Sequence, residues 1–389
     1  MTLAVSSDVL IVGGGVIGAS IAFHLTAGGM KRVVLCEQGR VSAEGATAQS
    51  GGLIRMHHTN VWQSRLAWES LPVFEYWAEI VGGTCGFRRT GFACVVSPQY
   101  VDRLTDNIGR LRSLGVPVLA LSPEEFLELQ PGCSGAGIGA VAYEPFSGYA
   151  NPVLATRSFL DRAEEKGLTI LEGSRVIELL STGGKISGAR TSLGEIYADT
   201  VVIAANGGAL PLLEPFEVAP PIRPKCISIC FLCLPPALRT SPLCAFVDDT
   251  VEAYFRPEDG WKMLVGAGVN DYDPLNGSTN ITEEGAHKAR SRAATRFPSL
   301  GDAAFVGGRI GIDGYTPDEH AIIGPAPGID GLYLALGFSG GGFKIAPAVG
   351  RAVAAEILSH EVASELEPFR LERFEANQLI RSRSAYAYM

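Results

Sequence analysis

Three glycines, Gly13, Gly15 and Gly18, stand in the spacing G-x-G-x-x-G, and an acid, Glu37, follows 24 residues after the first. Glycines so spaced suit one task, bringing main chain close to a pyrophosphate. The first permits a tight turn, the second lets backbone approach the phosphates, and the third lets a helix pack on a strand. The N–H groups and dipole at the start of that helix, at Val16 and Ile17, favour the phosphate charge. Glu37, followed by Gln38, suits a free ribose 2′-hydroxyl and repels a 2′-phosphate. Residues 337–344 read GFSGGGFK. This second glycine-rich turn lets a ligand approach a helix start, where the dipole stabilises negative charge. Cys226, Cys230 and Cys233 imitate an iron–sulfur triad. On a strand, however, the first two share a face and the third points away, so they are expected as small buried side chains and no metal is expected.

These residues need elements to hold them. Residues 8–12 (DVLIV) form a buried-strand pattern, a helical pattern runs from the glycines to Leu25, and residues 32–36 form a second strand ending at Glu37. In that context the glycines mean dinucleotide binding, with FAD and NAD both open. No second such unit occurs, so one dinucleotide is expected. Strand–helix alternation returns at 151–210 and 330–358. Between lie a helical run at 101–114, strand-like runs at 226–234, 252–256 and 262–269, and a helical run at 283–296. Pro220-Pro221, Pro235-Pro236 and Pro274 punctuate the second stretch. Tyr254 and Arg256 share one strand face; facing inward, they line a pocket. The segment after Pro368 reads as a solvated helix.

Composition removes other classes. Apolar residues make up 47% and charged residues 19%, against disorder. A net charge of −9 without a basic stripe argues against nucleic acid. The apolar stretch 9–25 is punctuated by glycines, so no transmembrane segment is expected, and no secretory leader pattern precedes it. Eight scattered cysteines suit a reduced, cytoplasmic protein.

Four further segments resemble the D-amino-acid-oxidase-like flavoprotein superfamily, which includes glycine oxidase and monomeric sarcosine oxidase. They are residues 46–55 (ATAQSGGLIR), 201–208 (VVIAANGG), 316–350 with TPDEHAIIGP and SGGGFKIAPAVG, and 148–152 (GYANP) leading to Val176. The resemblance implies an α/β plus α+β fold: a discontinuous Rossmann-like FAD-binding domain (1–85, 149–216 and 315–389) with an inserted, mostly antiparallel β substrate domain (86–148 and 217–314). FAD is expected against the first turn and against Ala48, Gln49, Ser50, Gly51, Gly52 and Leu53. Val176, the turn Ala205-Asn206-Gly207, and Gly337, Phe338, Ser339, Gly340, Gly341, Gly342 and Phe343 complete its expected surroundings.

In sarcosine oxidase-like enzymes, residues matching Arg55 and Lys344 grip a substrate carboxylate. Lys262 lies near a lysine that promotes oxygen reduction there, while His57 and His58 fall within reach of flavin or substrate. Relatives attach flavin through a cysteine near the position of Gly311 or a histidine near Gln49; neither nucleophile is present, so FAD is expected to be non-covalent. The implied activity is oxidation of the C–N bond of an α-amino, N-methylamino or cyclic imino acid. Hydride passes from the α-carbon to flavin N5, the imine hydrolyses to an oxo acid, and oxygen or another acceptor takes the electrons. A 2-hydroxy acid or specialised amine as substrate stays open, as does a homo-oligomer or a place as the flavin subunit of a larger complex.

Overall fold

A computed structural model describes residues 3–42, 45–267 and 280–387; Pro274 and the end of the expected run 262–269 lie outside the described residues. Leu3–Val12 is the central strand of the first sheet, entering the glycine turn. Val9, Leu10, Ile11 and Val12 are all buried, as befits a strand covered on both faces. Helix Val16–Ala27 leads back to Val33–Cys36, parallel to the first strand. The sheet order is Ile322–Pro325, Leu332–Leu336, Gly194–Ile203, Leu3–Val12, Val33–Cys36, Thr169–Leu171, with Lys185–Thr191 and Val176–Thr182 folded back from Gly194–Ile203. Helices Pro152–Glu164 and Gly342–Ser359 pack beside Val16–Ala27.

A second sheet runs Phe305–Tyr315, Arg223–Cys233, Lys262–Ala267, Ala253–Glu258, Ala245–Asp248, Phe92–Val96, Ala140–Glu144, Leu119–Leu121. Its pairings are antiparallel except that of Ala245–Asp248 with Phe92–Val96. One face packs Phe246 on Phe255, ring centroids 4.7 Å apart, under helix Glu283–Arg296. Arg296, fully buried, is compensated by Asp248 at 2.6 Å and by main-chain carbonyls. Cys226, Cys230 and Cys233 lie along one strand of this sheet outside any disulfide among the described residues; the first two are buried as expected, while Cys233, near the strand's end, is only half-buried. The fold is thus a Rossmann-like α/β layer joined to a mostly antiparallel sheet.

The segment after Pro368 departs from the expected solvated helix. It makes two short turns, Glu367–Phe369 and Leu371–Arg373, and then runs irregularly. Glu372, Glu375, Asn377, Gln378, Arg381 and Arg383 are exposed as expected, but other side chains of the segment are committed to the body of the protein. Buried Arg373 pairs with Asp318 at 2.8 Å, and Ile380 N–H donates to the same carboxylate. Tyr386 is buried against His57.

Candidate active site

A cavity of about 1550 Å³ lies between the two sheets, lined from one side by the first glycine turn and from the other by Ile227, Tyr254 and Gly266. At its dinucleotide end the main chain does the positioning. Gly13 has φ +115°, and a side chain there would meet the Ala204 carbonyl at 2.7 Å. A side chain on Gly18 would collide with the Gly13 carbonyl oxygen. Helix Val16–Ala27 starts without a side-chain cap at Gly15; Val16 N–H donates to Thr47 Oγ1 at 3.1 Å. Glu37 accepts from Gly14 N–H at 2.8 Å and from Gly39 N–H at 3.0 Å, which holds its carboxylate beside the turn. Val176 lines the cavity near Ser174 and Ile177.

Every expected cofactor residue lines this cavity except Gly18, Ala48 and Gly337. Gly18 instead lets the helix approach the turn. Gly337 sits behind the loop against Thr316 and Ile222, and Ala48 ends the short helix Gly45–Ala48. Gln49 Oε1 and His58 Nε2 are buried without a hydrogen-bond partner among the described residues. A helix start that Gly15 leaves uncapped, glycines that no side chain could replace, and lining residues with orphaned polar atoms around one large cavity fit a flavin dinucleotide.

At the other end charged side chains gather. Lys344 is 6% exposed at the start of helix Gly342–Ser359, donating to Gly340 O at 3.2 Å. Burial, reinforced by Arg55, pushes its ammonium down to about 7, against the opposing pull of Asp313. Half-buried Arg55 donates to the His57 carbonyl and stands over the Phe92 ring. His58 lines the cavity, and burial together with the nearby Arg55 and Lys344 charges holds it neutral.

The remaining expected residues separate. His57 is fully buried off the cavity wall, its ring 3.1 Å from Tyr386 Oη, and burial lowers it to about 3. Tyr254 lines the cavity against Gly51. Arg256 shares its strand face but does not reach the wall, because its guanidinium covers Tyr149 and pairs with Glu258. Lys262 is not brought to the site. It sits at the hairpin turn opposite Glu258, 3.0 Å from Asp259 and over Phe231 and Trp261. The cavity takes this strand pair at Gly266 and Tyr254, four residues along, roughly 13 Å away at strand rise.

Three contributors have no counterpart among the expected residues. Asp313 accepts from Asn206 Nδ2 at 2.7 Å, Gly314 N–H at 2.8 Å and Gly340 N–H at 2.7 Å, tying three cavity loops together. Burial raises its carboxyl despite those bonds. His320 lines the cavity 2.6 Å from Asn60 Nδ2. Ile380, Ser382, Ala385 and Ala387 form a wall from the segment after Pro368. Asp313 carries a signal in sequence, as a lone acid in the apolar, glycine-rich run GRIGIDGY.

Residues 8–356 match the family described as DAO: FAD dependent oxidoreductase. Sarcosine oxidase subunit beta of Arthrobacter sp is 27% identical over 400 residues, covering 98% of this chain and 94% of that protein. The 4-methylaminobutanoate oxidase (formaldehyde-forming) of Paenarthrobacter nicotinovorans is 27% identical over 380 residues; the match takes 95% of this chain and 46% of that longer protein. Among solved structures, L-proline dehydrogenase from P. horikoshii superposes with a TM-score of 0.89 at 26% identity, covering 97% of this chain and 100% of the other. Among the described residues no helix is long and apolar enough to cross a membrane. With the family match running from the first strand through the helix that carries Lys344, this chain belongs to the DAO family of FAD-dependent oxidoreductases, and its cofactor is FAD.

Proposed function

We propose that this chain oxidises the C–N bond of an α-amino, N-methylamino or cyclic imino acid whose carboxylate is gripped by Arg55 and Lys344. The observation that carries the reading is that both cations line one cavity, with Lys344 buried at the start of its helix and Arg55 adding to burial in lowering it. A planar guanidinium and a point-charge ammonium make a directional clamp for a carboxylate. With that end fixed, the α-C–H is presented to the cavity, and positioning of this kind is the main device the chain contributes. The amine must react unprotonated, because its lone pair closes the C=N bond as the hydride leaves. No dedicated base is required where the site favours the neutral amine, and His58, kept neutral by burial and by the Arg55 and Lys344 charges, adds no competing cation. Bound FAD supplies the hydride acceptor at N5. The imine then takes up water, giving an oxo acid and a free amine from an open-chain substrate and a single ring-opened amino oxo acid from a cyclic one.

FAD is held without a covalent bond in this reading. Gly311 and Gln49 face each other, a Cβ at Gly311 falling 2.5 Å from that of Gln49, and neither residue is a nucleophile. Sarcosine, 4-methylaminobutanoate and proline, named for the three relatives, each carry a carboxylate and a secondary amine, which favours secondary amines as substrates. Oxygen or another acceptor takes the electrons.

The test is an anaerobic mix of the yellow protein with amino, N-methylamino and imino acids, watching the visible flavin band, followed by air. Bleaching by an N-methylamino or imino acid is expected, and the rate at which colour returns separates oxidase from dehydrogenase. A flavin-bearing protein that no such acid bleaches overturns the reading and points to a 2-hydroxy acid or a partner subunit.

A further inference from the structure

The wall made by residues 380–387 is tied to both halves of the molecule. From the FAD layer, the Asp318 carboxylate accepts Ile380 N–H at 3.1 Å. From the second layer, helix Val101–Ser113 reaches across: Arg103 donates to Ala385 O at 2.6 Å and Asn107 Nδ2 to Ser384 O at 2.9 Å. Between these ties Tyr386 turns inward. Its hydroxyl accepts from Asn107 Nδ2 and lies 3.1 Å from His57 Nε2, and the two rings stack at 5.9 Å. All three side chains are buried. The main-chain carbonyl of that same His57 receives the Arg55 guanidinium. Arg110, one turn on from Asn107, donates to the next carbonyl, that of His58, at 3.2 Å.

From this chain of contacts we infer that Tyr386 is a positioning residue for substrate: by holding the His57 ring it fixes the peptide on which Arg55 rests, and so aims the guanidinium at the substrate carboxylate. The inference rests on the carboxylate-clamp reading above. An arginine has five donors and a long flexible stem. One donor fixed on a main-chain carbonyl orients the fork, but only as well as that carbonyl is itself held. A buried imidazole bonded through one nitrogen and stacked on a tyrosine supplies that hold. The same arrangement places Ala385 in the cavity wall, so the segment that bounds the substrate also aligns the group that grips it.

The experiment uses the FAD-loaded protein and propionate, a carboxylate with no amine to oxidise, with affinity read from perturbation of the flavin visible band. Tyr386→Phe keeps the ring and removes the hydroxyl. It is expected to weaken propionate roughly two- to tenfold, the worth of one hydrogen bond, with FAD content unchanged. In an Arg55→Ala background the same change is expected to have no further effect, because the two residues act in series. Unaltered affinity in Tyr386→Phe, or an equal loss in both backgrounds, overturns the positioning role. Wild-type affinity in Arg55→Ala alone overturns the clamp reading instead, so the two failures are distinguishable. If Tyr386→Phe yields too little protein, Asn107→Ser loosens the same hydroxyl from the helix side and carries the same expectations.

Discussion

At the end of the cavity proposed for the dinucleotide the chain offers a helix start that its N-cap glycine does not cap, close glycines and a single acid; at the end proposed for the substrate it gathers two cations, a carboxyl and a neutral imidazole. The first end is local. Its turn, helix and acid come from one strand–helix–strand unit, and the pyrophosphate it would meet keeps its charge across the neutral range. The second end is assembled from the loop holding Arg55 and His58, the end of strand Phe305–Tyr315, the start of helix Gly342–Ser359 and the segment after Pro368. Burying charge there costs free energy that only mutual compensation offsets. The two ends should therefore fail differently: the first all at once and by shape, the second by degrees and with pH.

The largest effect should come from Gly18→Val. A branched side chain facing the Gly13 carbonyl must push the helix off the turn, so the protein is expected to purify colourless, with almost no flavin by its visible-to-ultraviolet absorbance ratio. A yellow Gly18→Val protein would break the claim that shape rules this end. Arg55→Ala should instead stay yellow while KM for the substrate acid rises about 10- to 100-fold, the worth of a hydrogen-bonded charge. Loss of flavin from Arg55→Ala would mean that the two ends are not separable.

The pH response is more graded. Lys344 titrates at about 7 in place of the ordinary 10.5, so it is protonated below about 7 and loses its charge above. Propionate binding should be full on the acid side and weaken as pH rises, by up to about tenfold by pH 9, then level off as Arg55 remains. Lys344→Met should give a flat profile at the weaker level. Propionate separates this from the opposite trend of a substrate amine, which reacts better as pH rises. Folding stability has its own sign: between about 7 and 10.5 the unfolded chain holds more proton at this lysine than the folded one, so this group makes stability rise with pH across that window.

The difference between the ends also decides what could be read from the sequence. Gly13, Gly15, Gly18 and Glu37 lie within one unit whose spacing has a mechanical meaning, and the strands and helices of that unit form where the pattern of apolar residues puts them. Helix Glu283–Arg296 was equally legible, from its own periodicity. Asp313 stands out only as a lone acid and Tyr386 not at all, because their roles exist only through partners far along the chain: Asn206 and Gly340 for one, His57 and Asn107 for the other. The segment after Pro368 misled for the same reason. Its arginines look solvated in sequence, yet Arg373 is buried on Asp318.

Lys262 sharpens the point with the smallest effect. Its expected place comes from the family resemblance, and no local pattern tells a lysine at a hairpin turn from one further along the strand. In the fold it belongs to the hairpin turn, where Asp259 at 3.0 Å and the faces of Phe231 and Trp261 occupy its ammonium. A cation must stand close to a reacting centre to stabilise charge developing there, and this one lies a strand segment away from the cavity-lining Gly266. Lys262→Met should change the rate of flavin reoxidation by air less than about fivefold, a surface ion pair being worth under about 1 kcal/mol. A reoxidation rate that falls tenfold or more, with the bleaching step untouched, would show that charge acts on this flavin from beyond the cavity wall. The division into a local end and an assembled end would then have to admit a third contributor from the hairpin of the second sheet.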